Sequence, residues 1–318
     1  FTRQLDVKTA FLYAELDEDI YIVTPEGICD KTNPFNLSKE ARRLSSGRIL
    51  RLKKSLYGLK QAPRNWFQTL KQFLLDTGFT SLLTEACIFF KYVDGRIVII
   101  IIFVDDILIG AKSSVDLEEL VRLFEERFKI SDSGEVNVYL SINITRNLAN
   151  YSMELDQTEY ILQMWNTFKG VENKRVTTPF QDNWRIDIEE ELENQNDADR
   201  AFVAEFPYRE LVGSLLFIQI CTRGDIAYEV HYLSRFNNRP CKALCLAAKR
   251  VLIYLFNTRD RKLTLGGTKL PLLTLFCDTD FAACVDTRKT VECFMVFFGI
   301  GCIMWQVKTA IKSGTVDW

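Results

Sequence analysis

One histidine, His231, occurs in 318 residues, and that scarcity excludes much. A Ser/His/Asp or Cys/His triad would have a single candidate base, and "VGSLL" around Ser214 is not the sharp strand-to-helix turn that exposes a nucleophilic serine. His231 reads as an ordinary helix residue. Nine scattered cysteines contain no CxxC pair, so neither a zinc cluster nor a disulfide framework is expected, and the thiols read as reduced and mostly buried. Glycine-rich phosphate cradles of the GxxxxGK[ST] or GxGxxG kind are missing. The longest apolar run is eight residues, far short of a bilayer-spanning helix, and "FTRQLDVKTA" at the start has none of the parts of a signal peptide. An intracellular protein without a membrane partner is expected. A first residue of Phe rather than Met points to a piece of a longer chain.

Carboxylates are the chemistry that remains. The composition, 47% hydrophobic and 26% charged, is that of a folded chain long enough for two or three domains. Its net charge of −2 is unevenly spread. Between Arg42 and Arg64 stand Arg42, Arg43, Arg48, Arg51, Lys53, Lys54, Lys60 and Arg64 with no acid among them; a solvated surface is the usual meaning of such a run, and the absence of interleaved acids adds weight to a polyanion partner. Asp182 to Asp199 carries eight acids against Arg185 and reads as an exposed linker.

Apolar spacing predicts a helix over Ser114–Phe128, with Leu117, Leu120, Val121, Phe124 and Phe128 on one face and Ser114 as the cap. A second is predicted over Asn65–Asp76, with Trp66, Leu70, Phe73 and Leu74 inward, Pro63 before it and Gly78 after it. Between them "CIFFKYV" and "RIVIIIIFV" read as strands joined by a hairpin at Asp94-Gly95. The run Ile97–Val104 is so rich in β-branched residues that a central strand covered on both faces is expected, with Ile107–Ala111 returning beside it. "VYLSINI" is a further short strand and "QTEYILQMWNTF" a helix. Three helices follow from about Pro207 to Phe256, and strand patterns return at "LPLLTLFCD" and "ECFMVFFGIGCIMWQV".

Asp105 and Asp106 interrupt the apolar hairpin at its tip. Alone, such a pair is an ordinary acidic β-turn. A third carboxylate in an apolar setting, Asp6 between Leu5 and Val7, changes the weighing. Three aspartates on neighbouring strand ends are the smallest set that holds two divalent cations about 3.5–4 Å apart. Magnesium suits such oxygen ligands and leaves room for substrate phosphates.

The blocks "QLDVKTAFLYAELDEDIYIVTPEG", "LKKSLYGLKQAPRNWF", "FVDDILIGA", "PYRELVGSLLFI", "TRGDIAYEVHYLSRF" and "CDTDFAACVDTRKT" resemble, in this order, the reverse transcriptase and following ribonuclease H region of copia-type LTR retrotransposon polyproteins. The resemblance spans essentially the whole chain. It implies an α+β fold: a right-hand palm of antiparallel sheet backed by helices with partial fingers over residues 1–150. A helical thumb or connection over 151–262, including an acidic linker at 181–200, and a truncated ribonuclease H-like segment over 263–318 would follow. RNA-directed DNA polymerase activity is implied, with two Mg²⁺ or Mn²⁺ ions as cofactors and an RNA template, a DNA primer and a dNTP as partners; a dimer is left open. By the same resemblance Asp6, Asp105 and Asp106 are the catalytic metal ligands, with the carbonyl of Val7 beside them. Phe11 matches the aromatic gate against a ribose 2′-hydroxyl, and its plainer reading is a core aromatic. Gln61 is similar to the nucleotide-pocket glutamine, with Gly58, Lys60, Ala62, Pro63 and Arg64 shaping the template and nucleotide contact. "YLSINI" resembles the primer-grip strand, where the family usually has Leu-Gly and this chain has Ser141. Asp278 matches the first ribonuclease H carboxylate, while "SGTVDW" is a degraded counterpart in which Asp317 would replace a glutamate, so ribonuclease H activity is not expected. Two other readings compete: a catalytically inactive remnant that at most binds nucleic acid, and an interaction domain, the latter requiring Asp6 to lie far from Asp105 and Asp106.

Overall fold

Asp94 (φ 47°) and Gly95 (φ 76°) both take the left-handed conformation that a two-residue hairpin turn requires, so Val93 pairs with Arg96 and the chain doubles back as expected. The computed structural model describes residues 1–25, 49–169, 175–181, 184, 186–267, 272–280 and 289–309. It is a mixed fold of antiparallel sheets with eight α-helices among the described residues, in two compact units, Phe1–Val136 and Asn137–Trp318.

The first unit is built on a six-stranded sheet. Its strands are β1 (Thr2–Val7), β4 (Thr80–Ser81), β5 (Ile88–Val93), β6 (Arg96–Phe103), β7 (Asp106–Ala111) and β8 (Ile130–Gly134), in the order β4-β5-β6-β7-β1-β8. A separate ribbon pairs β2 (Tyr21–Val23) with β3 (Ile49–Arg51). Helix α1 (Ala62–Asp76) carries Pro63 in its first turn, where the missing N–H costs nothing, and is followed by Gly78 at φ 86°. Helix α2 (Ser114–Arg127) is capped by Ser113, one residue earlier than its sequence suggests, through a 3.2 Å bond from the Val115 N–H. Arg96 grips Asp116 of α2 with two 2.9 Å bonds and so ties the start of β6 to that helix.

Alternate residues of the β-branched run differ in burial. Val98, Ile100 and Ile102 are buried with Leu5, Val7, Ile107 and Ile109 beneath α1 and α2, whereas Ile97, Ile99, Ile101 and Leu108 on the other face are only half-buried. The expected two-sided cover is therefore corrected: both helices pack on one face, and the face that carries Asp6 and Asp106 stays accessible.

In the second unit β9 (Val138–Tyr139), β10 (Ile142–Asn147), β11 (Ser152–Asp156) and β12 (Leu263–Gly266) form a sheet of order β12-β11-β10-β9, which pairs strands across positions 150 and 262. Helices α3 (Thr158–Thr167), α6 (Tyr208–Cys221), α7 (Ala227–Ser234) and α8 (Lys242–Asn257) share one apolar core, with Trp165 stacked on Phe256 at 3.8 Å. A last sheet runs β13 (Leu273–Asp280), β14 (Val291–Phe298), β15 (Gly301–Thr309). The Trp305 indole of β15 donates to the Gln219 carbonyl at 2.8 Å, and the ring lies so close to Gly224 that an added Cβ would stand 2.9 Å from it. His231 sits on α7, its Nε2 2.8 Å from the Thr309 hydroxyl, in keeping with a structural role.

Three expectations change here. The expected single strand "VYLSINI" is a hairpin: Leu140 (φ 50°) and Ser141 (φ 63°) are its left-handed turn, and Tyr139 pairs with Ile142. The acidic linker holds two short helices, α4 (Ile188–Glu193) and α5 (Asp197–Glu205), capped by Asp187 and Asn196. Its acids are partly paired, Glu189 with Arg239 at 2.9 Å and Asp199 with Lys242. The described cysteines are all free but not mostly buried: Cys241, Cys245 and Cys302 are buried, Cys87 and Cys221 half-buried, Cys277 and Cys293 exposed. Cys29 and Cys284 lie outside the described residues.

Ser141 occupies a position at which glycine has no steric penalty and other L-residues lose roughly 1–2 kcal/mol, partly offset by the greater unfolded-state freedom of glycine. Ser141→Gly is therefore expected to raise the unfolding free energy by about 0.5–1 kcal/mol, read from urea unfolding. An unchanged or lower midpoint would show that the turn holds serine without strain.

Candidate active site

The register of β1 against β7 sets Asp6 directly opposite Asp106, in step with Leu5 opposite Ile107 on the buried face. Opposed residues of an antiparallel pair have Cα atoms about 4.5–5.5 Å apart, so two carboxylates face each other across the ladder, an arrangement that is destabilising on its own. Phe103 pairs with Asp106, so the tip consists of Val104 and Asp105, and Asp106 is the first residue of β7 rather than part of the turn. The Val7 N–H donates to the Asp105 carbonyl at 2.9 Å, which binds the strand of Asp6 to the tip. Asp6, Asp105 and Asp106 are all half-buried. The distance between Asp6 and the pair that an interaction domain would require is not found.

Burial, then the charge of Asp105 and more weakly that of Asp6, pushes the Asp106 carboxyl above its usual range, while a hydrogen bond from the Gln4 side chain works against the rise. The donor set, three carboxylates on paired strand ends, has the hard-oxygen chemistry that suits a divalent cation. Among the described residues no group of three or more His, Cys, Asp or Glu side chains is already gathered as a metal cage.

Tyr57 is a neighbour that the sequence reading missed. Its ring centroid lies 4.4 Å from that of Phe11. Burial, then the charge of Asp105, keeps its hydroxyl above the usual tyrosine range, with a bond from the Ala10 backbone opposing and Asp6 adding. The phenol therefore stands within electrostatic reach of both arms of the site. It is brought there by a strap whose Ser55 is wholly buried, with its N–H on the Ala14 carbonyl at 2.9 Å. Phe11 follows β1 in a short 3₁₀ turn, Ala10–Tyr13, and is only 9% exposed, so Tyr57, half exposed, is the aromatic that meets solvent there.

The remaining expected residues divide. Gly58 (φ 96°) and Lys60 are exposed in the strap, and Gln61 stands at the N-cap of α1 without using its side chain as a cap, which leaves the amide available. Arg64 faces a different space, a cleft of about 460 Å³ that it lines with Tyr13, Glu15, Lys54 and Gln68 and whose lining includes none of the three aspartates. Arg51 pairs with Asp19, while Arg42, Arg43 and Arg48 lie outside the described residues. In the second unit Asp278 is exposed on β13, opposite Cys293 of β14, and accepts from the Thr279 N–H at 2.8 Å. Asp317 lies outside the described residues.

Residues 1–182 match the family model described as reverse transcriptase (RNA-dependent DNA polymerase). The chain belongs to that family. As a reverse transcriptase domain it is similar to the retrovirus-related Pol polyprotein from transposon TNT 1-94 of Nicotiana tabacum, 32% identical over 307 residues, 96% of this chain and 22% of that protein. The Pol polyprotein from transposon RE1 of Arabidopsis thaliana is 31% identical over 316 residues, 98% of this chain and 20% of that protein. The chain thus spans about a fifth of the length of these copia-type relatives. A putative transposon Ty5-1 protein of Saccharomyces cerevisiae is 28% identical over 304 residues and is covered over 92% of its length. The reverse transcriptase match includes all three aspartates, Tyr57 and Gln61, and ends well before Asp278. Among the described residues no helix is long and apolar enough to cross a membrane.

Proposed function

We propose that this chain carries the polymerase site of a copia-type reverse transcriptase, extending a DNA primer on an RNA template. The observation that carries the reading is the register placing Asp6 opposite Asp106 at an open sheet end, with Asp105 in the adjoining tip. Asp6, Asp105 and Asp106, with the carbonyl of Val7, would hold two divalent cations, Mg²⁺ or Mn²⁺. Such ions, when bound, activate an attacking hydroxyl and steady a leaving phosphate. The protein's own part is positional. A rigid sheet presents the carboxylates toward the primer 3′-hydroxyl and the α-phosphate of the dNTP, from which pyrophosphate leaves. Tyr57, backed by the buried Phe11, forms an aromatic wall beside the site on which the incoming sugar rests, and the uncommitted Gln61 amide faces the nucleotide. Lys60, Arg64 and their basic neighbours track the phosphates of template and primer, an attraction indifferent to sequence, as a polymerase needs.

The test is primer extension on an RNA template. Incorporation of dNTP is expected with Mg²⁺ or Mn²⁺ and is expected to vanish on chelation. Salt-sensitive binding of an RNA/DNA duplex without extension under any metal would overturn the polymerase reading in favour of an inactive remnant.

A further inference from the structure

Val104, the first of the two tip residues, has φ 56°. Asp105 is not among the positive-φ residues, so the tip has the sign pattern of a type II′ turn, whose first position normally belongs to glycine. A β-branched residue there is a genuine outlier, and such strain persists only where the surroundings over-determine it. The valine side chain does not supply the compensation, because it is 42% exposed. What holds the residue is its carbonyl, which accepts a 2.7 Å bond from the indole N–H of Trp66. Trp66 lies on α1, is 1% exposed, and packs edge-on against Phe128 at 5.4 Å, so the donor has little freedom to move. The next carbonyl, that of Asp105, is held from the other side by the Val7 N–H.

We propose that Trp66 is the positioning residue of the Val104–Asp105 turn. Its indole clamps Val104 in a conformation valine avoids and thereby fixes where Asp105 stands relative to Asp6. A buried indole needs some hydrogen-bond partner in any core. The strained valine distinguishes a clamp from a satisfied donor, because the two then depend on each other. The catalytic part of this inference rests on the polymerase reading; the clamp itself does not.

The experiment is a double-mutant cycle on the full chain. W66F keeps an aromatic ring and deletes the donor, while V104G removes the strain that the donor opposes. With Val104 present, W66F is expected to lower the folding equilibrium constant at least tenfold by urea unfolding and to speed amide exchange at Val7 at least tenfold. In the V104G background the acceleration of Val7 exchange shrinks to under threefold and the unfolding loss shrinks at least threefold, what remains being the packing lost with the second ring of the buried indole. In primer extension W66F is expected to lower kcat at least tenfold with the KM for dNTP changed less than threefold, and V104G to restore most of the loss. Additive effects on unfolding and on Val7 exchange would overturn the clamp, whatever the wild type extends. Coupling in both, in a wild type that extends nothing, would leave the clamp standing and remove the polymerase reading. Should W66F alone fail to fold, recovery of a folded W66F/V104G chain is the same coupling in all-or-none form, and failure of both overturns it.

Discussion

Asp106→Asn is expected to stabilise the unit Phe1–Val136 in metal-free buffer while reducing primer extension at least about 10³-fold. Both effects follow from one arrangement. In the wild type the Asp106 carboxyl is raised by burial and by the charges of Asp105 and Asp6, so the folded state holds its proton more tightly than the unfolded chain does. A raised folded pKa means that stability falls as pH rises from the ordinary aspartate value through the folded one, and at neutral pH the whole cost is present. Asparagine keeps the shape and removes that charge. In the proposed function the same charge would hold a divalent cation, and several kcal/mol of transition-state stabilisation lost corresponds to about 10³-fold in rate. Added Mg²⁺ or Mn²⁺ closes the comparison. At a hundredfold excess over Kd a ligand of the native state adds about 2.7 kcal/mol, which the wild type should gain and Asp106→Asn should largely lose. Calorimetry with and without metal, beside extension assays that include Asp105→Asn as a control for activity, reads both effects. A lower midpoint for Asp106→Asn in metal-free buffer, or extension equal to wild type, would contradict the reading.

The second large effect lies in the helical unit. Arg223 is 4% exposed and grips Asp225 with bonds of 2.8 and 2.9 Å from Nε and Nη2, while Nη1 donates to the Thr258 carbonyl and Nη2 also to the Thr258 hydroxyl. The Tyr254 hydroxyl donates to Asp225 at 2.7 Å. Asp225→Ala leaves a buried guanidinium without its counter-charge. Breaking such a pair costs about 3–5 kcal/mol when both partners are buried, and because Asp225 is a third exposed a loss of about 2–3 kcal/mol is expected from urea unfolding. Burial alone would raise Asp225, but the Arg223 bonds and charge, joined by the Tyr254 hydroxyl and the Arg261 charge, outweigh it and leave the carboxyl below its usual range. Stability from this pair is therefore present above the ordinary aspartate pKa and lost as pH falls below it. Glu229 runs the other way: burial pushes it up to about 7, so its contribution falls as pH rises from about 4.5 to that value. The wild-type unit should be most stable on the acid side of neutrality, and Asp225→Ala should lose the acid limb of that profile. A profile unchanged by the substitution would rule the pair out as its cause.

Much of the first unit could be read from residue spacing because local rules decided it. Asp94-Gly95 has one good conformation, the inward residues of α1 and α2 repeat at helical spacing, and an apolar run flanked by short turns must be a strand. The accessible face of β6 could not be read, since isoleucine or valine at each position from 97 to 102 satisfies a buried and a half-buried face equally. Ser141 misled for a related reason: the turn takes a residue that does not advertise a left-handed conformation, so two strands looked like one. The helices inside the acidic stretch were hidden because their stability comes from caps at Asp187 and Asn196 and from cations fifty and forty-three residues away, not from an apolar stripe. Within the site, aspartates stand out in apolar surroundings, whereas Tyr57 reaches Asp105 only because a buried Ser55 anchors the strap behind it.

The strand order β4-β5-β6-β7-β1-β8 also bears on how the site comes into being during synthesis. The strand that bears Asp6 precedes the other five of its sheet, yet its two neighbours are residues 106–110 and 130–134. While the ribosome adds the intervening hundred residues, β1 has neither ladder partner, whereas the local hairpin of β5 and β6 can already close. Distant pairings are slow because a long loop must be ordered before any bond rewards it. The carboxylate pair is therefore expected to form late in the folding of this unit, after the local hairpin beside it.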